Sequence, residues 1–158
     1  MTNPDIRILL HNIRSAHNVG SIFRTSDAIG VSRVYLSGYS PLPLDKFGRP
    51  VKEIAKTALG AEQSIPWQEI KNISKLIKKL KDEGFTVIAI EQDIYAIDYK
   101  TYIPEEKILV LVGNEVRGLS CTMKKYADVI VEIPMSGKKE SLNVSVAFGI
   151  VLFRMCDQ

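Results

Sequence analysis

Apolar residues in this chain gather in short dense runs separated by polar, glycine-bearing stretches, a spacing that predicts strands alternating with helices. Ile6-Arg7-Ile8-Leu9-Leu10 reads as a buried strand ending at His11-Asn12. Ile22, Phe23, Ala28 and Ile29 then fall near helical spacing, with Asn18 as the expected cap and Gly30 as the stop. Arg33 to Leu36 is the next strand, so the chain opens as strand, helix, strand, which favours a parallel sheet. Pro41, Pro43, Gly48 and Pro50 mark Ser40 to Pro50 as a surface loop. Trp67 to Gly84 is expected as one amphipathic helix, because Ile70, Ile73, Ile77 and Leu80 recur at spacings of three and four. Phe85 to Ile90, Ile108 to Val112 and Val129 to Ile133 read as further buried strands. Ser141 to Met155 is helical by pattern, with a broad apolar face from Leu142, Val146, Phe148 or Gly149, Ile150 and Phe153. Such a face needs a cover: the sheet, a second subunit, or parts of both.

Length and composition narrow this to one α/β domain over residues 1–158, with a mainly parallel sheet flanked by helices; 158 residues at 46% hydrophobic content can bury a sizeable core. The apolar stretches are too short, or too interrupted by glycine, to cross a bilayer, and Met1-Thr2-Asn3-Pro4-Asp5 lacks the features of a signal peptide. A cytoplasmic protein is expected. Cys121 and Cys156 match no metal-ligand spacing and read as buried small apolar residues, and no metal site is expected. The net charge of +3 permits an anionic partner without demanding one. Lys71, Lys75, Lys78, Lys79 and Lys81 lie mostly off the apolar stripe of their segment and are taken as solvated surface, with an RNA-facing surface as the other reading.

Candidate chemistry sits in three polar stretches that each follow an apolar strand, and strand carboxyl ends are where open α/β sheets hold ligands. In the first, Asn12 to Thr25, Asn18 and Arg24 bracket the opening turns of a helix, so backbone amides, an amide side chain and a guanidinium can converge on a phosphate or ribose; a cap and a surface arginine explain the same residues. In the second, Leu111 to Ser120, Gly113 and Gly118 frame a turn that lets a ligand approach the backbone, and Glu115 either serves a site, pairs with Arg117, or caps the next helix. In the third, Ile133 to Asn143, Ser141 reads as an N-cap, whereas Asn143 in the first turn of an apolar helix is poorly explained by helix propensity.

Asn-x-Gly-x-Ile-x-Arg, Gly-Asn-Glu-x-x-Gly-Leu and Ile-Pro-Met-x-x-x-x-x-Ser-Leu-Asn-Val-Ser stand in this order in the chain, and with them it resembles the SpoU/TrmH-type SPOUT RNA 2′-O-ribose methyltransferases from about Ile6 to Phe153. The resemblance implies a polar site of Asn18, Arg24, Glu115, Ser141 and Asn143. It also implies S-adenosyl-L-methionine held against Ile90, Gly113, Ile133, Met135, Ser141 and Leu142, a homodimer, and a C-terminal deep trefoil knot. The implied substrate is RNA, tRNA before rRNA, with Arg24 beside the 2′-hydroxyl and the proton passing to a phosphate oxygen or to Arg24 itself. Larger members carry an extra RNA-binding domain or terminal helices that this stretch lacks. Several of Arg14, Lys46, Arg49, Lys52, Lys138 and Lys139 are therefore expected to contact phosphates, Lys138 and Lys139 first among them, and His17 either touches RNA or stands by.

Three rival readings remain. A noncatalytic RNA-binding module on the same fold would be expected to lack Arg24 or the cofactor loop, and neither is missing. A Rossmann-type enzyme needs Gly-x-Gly-x-x-Gly after an early strand, where this chain has Asn12-Ile13-Arg14. Knotted base methyltransferases keep motifs different from the Glu115 and Asn143 pair, and no cysteine in the motifs offers a covalent thiol.

Overall fold

The computed structural model describes residues 4–156; the residues before Pro4, on which the signal-peptide reading largely rests, lie outside the described residues. Thirteen elements follow one another: β1 (Asp5–His11), α1 (Ala16–Ile29), β2 (Arg33–Ser37), α2 (Lys52–Ala58), α3 (Ala61–Ser64), β3 (Trp67–Ile70), α4 (Ile73–Asp82), β4 (Thr86–Ile90), β5 (Ile97–Asp98), β6 (Lys107–Val112), α5 (Cys121–Lys124), β7 (Val129–Glu132) and α6 (Val144–Cys156). The strands form one parallel sheet in the order β3-β2-β1-β6-β4-β7-β5. Leu10 lies beside Val112, and Ala89 beside both Leu111 and Ile130, so the central strands end together at one rim.

Alternation at period two divides the aliphatic runs between the two faces. Ile8, Leu10, Ile88, Val110 and Val112 pack with α1 and α6 on one side, while Leu9, Val87, Ala89, Leu109 and Leu111 pack with Ile77 and Leu80 of α4 on the other. Both faces are covered by helices, as an all-parallel sheet requires.

The structure corrects several boundaries. Trp67 to Gly84 is not one helix: Trp67–Ile70 pairs with β2 as an edge strand, and Asn72 starts α4 by accepting the Lys75 N–H at 3.0 Å. The helical spacing of Ile70, Ile73 and Ile77 spanned that break because an edge strand of four residues carries too few positions to reveal its own period. The α1 cap is Ser15, whose hydroxyl accepts the Asn18 N–H at 3.2 Å, so Asn18 sits inside the first turn with its side chain free for other partners. Ile22 and Phe23 are buried on that helix, Ile29 is half-buried, and Ala28 is exposed. Helix α6 begins at Val144, after Ser141, and Asn143 accepts the Ser145 N–H at 2.9 Å, the capping role that suits asparagine. Cys121 is exposed rather than buried, and Cys156 is half-buried against the α1/α6 core.

Helix α6 buries Phe148, Val151, Leu152 and Met155. Of the expected apolar face, Phe148 alone is fully buried; Val146 (49% exposed), Ile150 (37%) and Phe153 (53%) face solvent. Apolar residues all round the helix gave the pattern no unique face to select. Among the described residues, no helix is long and apolar enough to cross a membrane.

Candidate active site

The carboxyl rim is assembled by hydrogen bonds between loops distant in sequence. The loop after β6 places Glu115 against the entry to α1, where its carboxylate accepts the Arg14 N–H at 2.8 Å, the Ser15 N–H at 2.9 Å and the Asn18 Nδ2–H at 2.9 Å. Asn18 Oδ1 in turn accepts from Asn143 Nδ2 at 3.2 Å, and Asn143 Oδ1 accepts from the Ser145 backbone and hydroxyl. All three polar stretches thus meet in one chain, Glu115 to Asn18 to Asn143. Burial pushes the Glu115 carboxyl up, but the Asn18 amide and the Arg14, Ser15 and Glu115 N–H groups outweigh it and hold the group below the usual glutamate value. Glu115 is anionic at neutral pH and acts as a cap donated from another strand's loop to α1; it neither pairs with Arg117 nor caps the helix that follows it.

A second tie stiffens the rim. Asn114 Nδ2 donates to the Asn12 carbonyl and to Tyr39 Oη, both at 3.0 Å, and Asn12 Oδ1 accepts the Tyr39 N–H at 3.2 Å. Asn12 takes a left-handed φ of 55°, which asparagine tolerates. Gly38 takes a φ of +64°, where a side chain is strained, and a Cβ there would displace the Asn12 amide that closes this turn.

Beside this frame, a cavity of about 140 Å³ opens at the ends of β4, β6 and β7. Ile90, Gly113, Ile133, Met135, Ser141 and Leu142 all line it, as does Glu115. Gly113 is required by packing: a Cβ there would approach the Leu119 backbone nitrogen to 2.7 Å. The charged side chains in the lining are Glu91, Glu115 and Glu132, with no lysine or arginine among the lining residues. An apolar wall beside carboxylates suits a ligand that combines an aromatic base, hydroxyl donors and positive charge, and S-adenosylmethionine, with its adenine, ribose and sulfonium, fits that donor set. Among the described residues, no group of three or more His, Cys, Asp or Glu is arranged to hold a metal ion.

Arg24 is not brought into this cavity. It lies on α1 about 9 Å beyond Asn18 along the axis, is exposed, and makes no hydrogen bond or ion pair among the described residues. Arg14 and His17 are exposed near the α1 entry, and Lys138 and Lys139 are exposed on the loop leading to Ser141. Lys46 and Arg49 stand elsewhere than the rim that their position after β2 suggested. Their turn is closed by Asp45, which accepts the Phe47 and Arg49 N–H groups and pairs with Arg49 Nε at 2.9 Å. Pro43, Leu44 and Pro50 face Glu62 to Trp67, beside the amino ends of β2 and β3, because the loop folds back along the sheet edge. Lys52 opens α2 and is exposed. Of the lysines near α4, Lys71, Lys78, Lys79 and Lys81 pair with Glu69, Asp82, Glu83 and Asp128 at 3.6, 2.7, 4.0 and 2.7 Å, as a solvated surface does.

Sequence reasoning missed Asn12, Tyr39, Asn114 and Glu91. A signal for Glu91 was available, since it is a carboxylate one residue past the end of an apolar strand, at the rim where ligands bind.

A parallel α/β domain with its cavity at the strand carboxyl ends, rimmed by an asparagine and glutamate chain rather than a glycine-rich phosphate turn, is unlike a dinucleotide enzyme of the Gly-x-Gly-x-x-Gly kind. Residues 5–153 match the SpoU rRNA Methylase family, and the chain belongs to it. It is 32% identical over 152 residues to the 23S rRNA (guanosine-2′-O-)-methyltransferase RlmB of Neisseria meningitidis, covering 96% of this chain and 58% of that protein. Among solved structures, the TrmH/SpoU tRNA modifying enzyme of A. aeolicus superposes with a TM-score of 0.85 at 27% identity, over 99% of this chain and 76% of that one. The AdoMet-bound rRNA methyltransferase of Sinorhizobium meliloti superposes with a TM-score of 0.84 at 29% identity, over 98% of this chain and 56% of that one. The chain spans 57% to 58% of the length of the curated relatives it matches first.

Proposed function

We propose that this chain is a single methyltransferase domain, residues 1–158, that transfers a methyl group from S-adenosylmethionine to a ribose 2′-hydroxyl of RNA in the cytoplasm, with tRNA ahead of rRNA as substrate. The observation that carries the reading is the cavity lined by Ile90, Gly113, Ile133, Met135, Ser141 and Leu142 with the Glu115, Asn18 and Asn143 chain at its edge. Family membership and the AdoMet-bound relative support it.

When bound, S-adenosylmethionine supplies a methyl on a positively charged sulfur, already a strong electrophile. The protein's task is therefore mainly positioning. Glu115 locks the α1 entry to the β6 loop, Asn18 and Asn143 hold the ribose with Ser141, and water is kept from the apolar wall. Arg24 lies beside the 2′-hydroxyl and its neighbouring phosphate, favouring loss of the proton by its charge. The phosphate oxygen takes that proton, because a protonated guanidinium has no acceptor lone pair. No step needs a metal.

The site is completed by a homodimer. Val146, Ile150 and Phe153 on α6 form its covered face, and Arg24, which is exposed and does not line its own chain's cavity, serves the partner's. The C-terminal segment is threaded as a deep trefoil knot, a reading supported by β6 entering between β1 and β4 before the chain returns past β4 to β7. Arg14, Lys138 and Lys139 contact phosphates near the target nucleotide, and Lys46 and Arg49 contact RNA further away.

Transfer of labelled methyl from S-adenosylmethionine to tRNA and rRNA tests the reading, with products mapped by nuclease digestion and mass spectrometry. The wild type is expected to yield a ribose-methylated nucleotide, and Arg24→Ala to lose at least about a hundredfold in rate, the usual cost of removing a charge-stabilising group. A methylated base, or no transfer despite cofactor binding, would overturn it in favour of a base methyltransferase or a noncatalytic RNA-binding module.

A further inference from the structure

Glu91 stands one residue past β4, and its backbone N–H continues the β4/β7 ladder by donating to the Val131 carbonyl at 3.1 Å. Its carboxylate faces two ways. One oxygen accepts the Leu119 N–H at 2.9 Å, the other accepts the Gln92 N–H at 3.0 Å, and no cation pairs with it among the described residues. These bonds fix the side chain at the cavity edge, where Glu91 is a lining residue with Gly113, Gly118 and Ile133. The fit is tight on the backbone side: a Cβ at Gly118, whose φ is +65°, would stand 2.2 Å from Glu91 Oε2. A carboxylate with each oxygen held by one N–H keeps a free lone pair on each, so it is a preset double acceptor open to a ligand that brings two donors.

The strand order says which part of a ligand meets it. The acceptor side of the site is the Glu115, Asn18 and Asn143 chain at the ends of β1 and β6, so the reacting methyl must lie there. Glu91 follows β4, which β6 separates from β1, about 10 Å away at two strand spacings. The nucleoside end of the cofactor therefore extends over β4 and β7, and its two adjacent hydroxyls are its paired donors. We propose that Glu91 recognises the ribose diol of the cofactor's adenosine and so sets the protein's preference for a ribonucleoside over a deoxyribonucleoside ligand. This inference rests on the methyltransfer reading above.

The test is calorimetric binding, which needs no turnover. S-adenosylhomocysteine and its 2′-deoxy and 3′-deoxy adenosyl analogues are titrated into the wild type and into Glu91→Gln, with melting temperature followed in parallel. The wild type is expected to prefer the ribose ligand by about tenfold or more over each deoxy analogue, the effect of losing one charge-assisted hydrogen bond. In Glu91→Gln that preference shrinks to about threefold or less for at least one hydroxyl, since an amide offers only one accepting atom. A ratio between ligands on the same variant is insensitive to any loss of folded protein. Equal binding of ribose and deoxy ligands by the wild type would overturn the proposal whatever the variant does. So would an unchanged preference in Glu91→Gln, which would leave Glu91 as a brace for Leu119. Failure of the wild type to bind S-adenosylhomocysteine at all would instead remove the cofactor reading on which the proposal stands.

Discussion

Helix α4 buries Ile77 and Leu80 against one face of the sheet and carries its lysines in water, where most are paired with neighbouring carboxylates. Helix α6 buries Phe148, Val151, Leu152 and Met155 against the other face and still leaves Val146, Ile150 and Phe153 exposed. The first helix satisfies its apolar and polar faces within the chain, while the second has more apolar surface than the sheet can cover. Burial of such side chains is worth about 1.5–3 kcal/mol each, so the uncovered face of α6 carries a real driving force for association. The same side of the sheet holds α1, with Asn18 and Arg24, and the α6 cap, Asn143. The surplus apolar surface and the polar site therefore share one half of the molecule, and the α4 half is scaffold.

The sharpest way to break this contrast is a charge on the uncovered face. Phe153→Asp, combined with Ile150→Asp where one change is insufficient, is expected to give a monomer by light scattering and to reduce methyl transfer by about a hundredfold or more, because the proposed dimer would supply Arg24 across its interface. S-adenosylhomocysteine binding should persist, because the cavity is built within one chain. A monomer with full activity would return Arg24 to its own cavity.

Of intermediate size is the effect of Glu115→Gln. The amide cannot accept from both the Arg14 and Ser15 N–H groups, and leaving part of that set unpaired should cost about 1–3 kcal/mol in chemical denaturation. The sign of the pH dependence follows from the depressed carboxyl. The wild-type contribution is fully present above the ordinary value of 4.5 and is lost as pH falls through the lower folded value, so the gap to Glu115→Gln should narrow on acidification below 4.5. A gap constant from neutral pH to below 4 would mean that the carboxylate contributes nothing as a charge.

The smallest effect is expected on α4. Lys78→Ala and Lys79→Ala remove exposed pairs with Asp82 and Glu83 and should each change stability by less than about 0.5 kcal/mol. Neither should alter the salt dependence of RNA binding, measured by filter retention, whereas Lys138→Ala should reduce its slope. Equal slopes for the two helix variants and Lys138→Ala would place RNA on the scaffold half.

Central strands were legible because β1, β4 and β6 are continuous aliphatic runs, and a parallel sheet covered on both faces demands that composition. The edge strand β3 was hidden because its four residues continue the helical spacing of α4 across Asn72. In the site, Asn18, Glu115 and Asn143 were legible as unusual polar residues beside strand ends, yet their bonds to one another were not. Nor could the pattern show that the turn bearing Lys46 and Arg49 folds back toward the amino ends of β2 and β3.

Sequence alone determined the central strands, the two long helices α1 and α6, and which loops carry polar and glycine residues, because those choices depend on local backbone sterics and on the period of apolar positions. Only the tertiary structure decided that Glu115 caps α1 from another strand's loop, that Ser15 rather than Asn18 takes the N-cap, and which side of α6 is left to solvent. The Ser15 cap is a local bond, but Ser15 and Asn18 are both good capping residues and the sequence pattern did not choose between them. The side of α6 left to solvent follows from its packing on the sheet and α1, and the Glu115 bonds join partners roughly a hundred residues apart in the chain, a distance at which local periodicity carries no information.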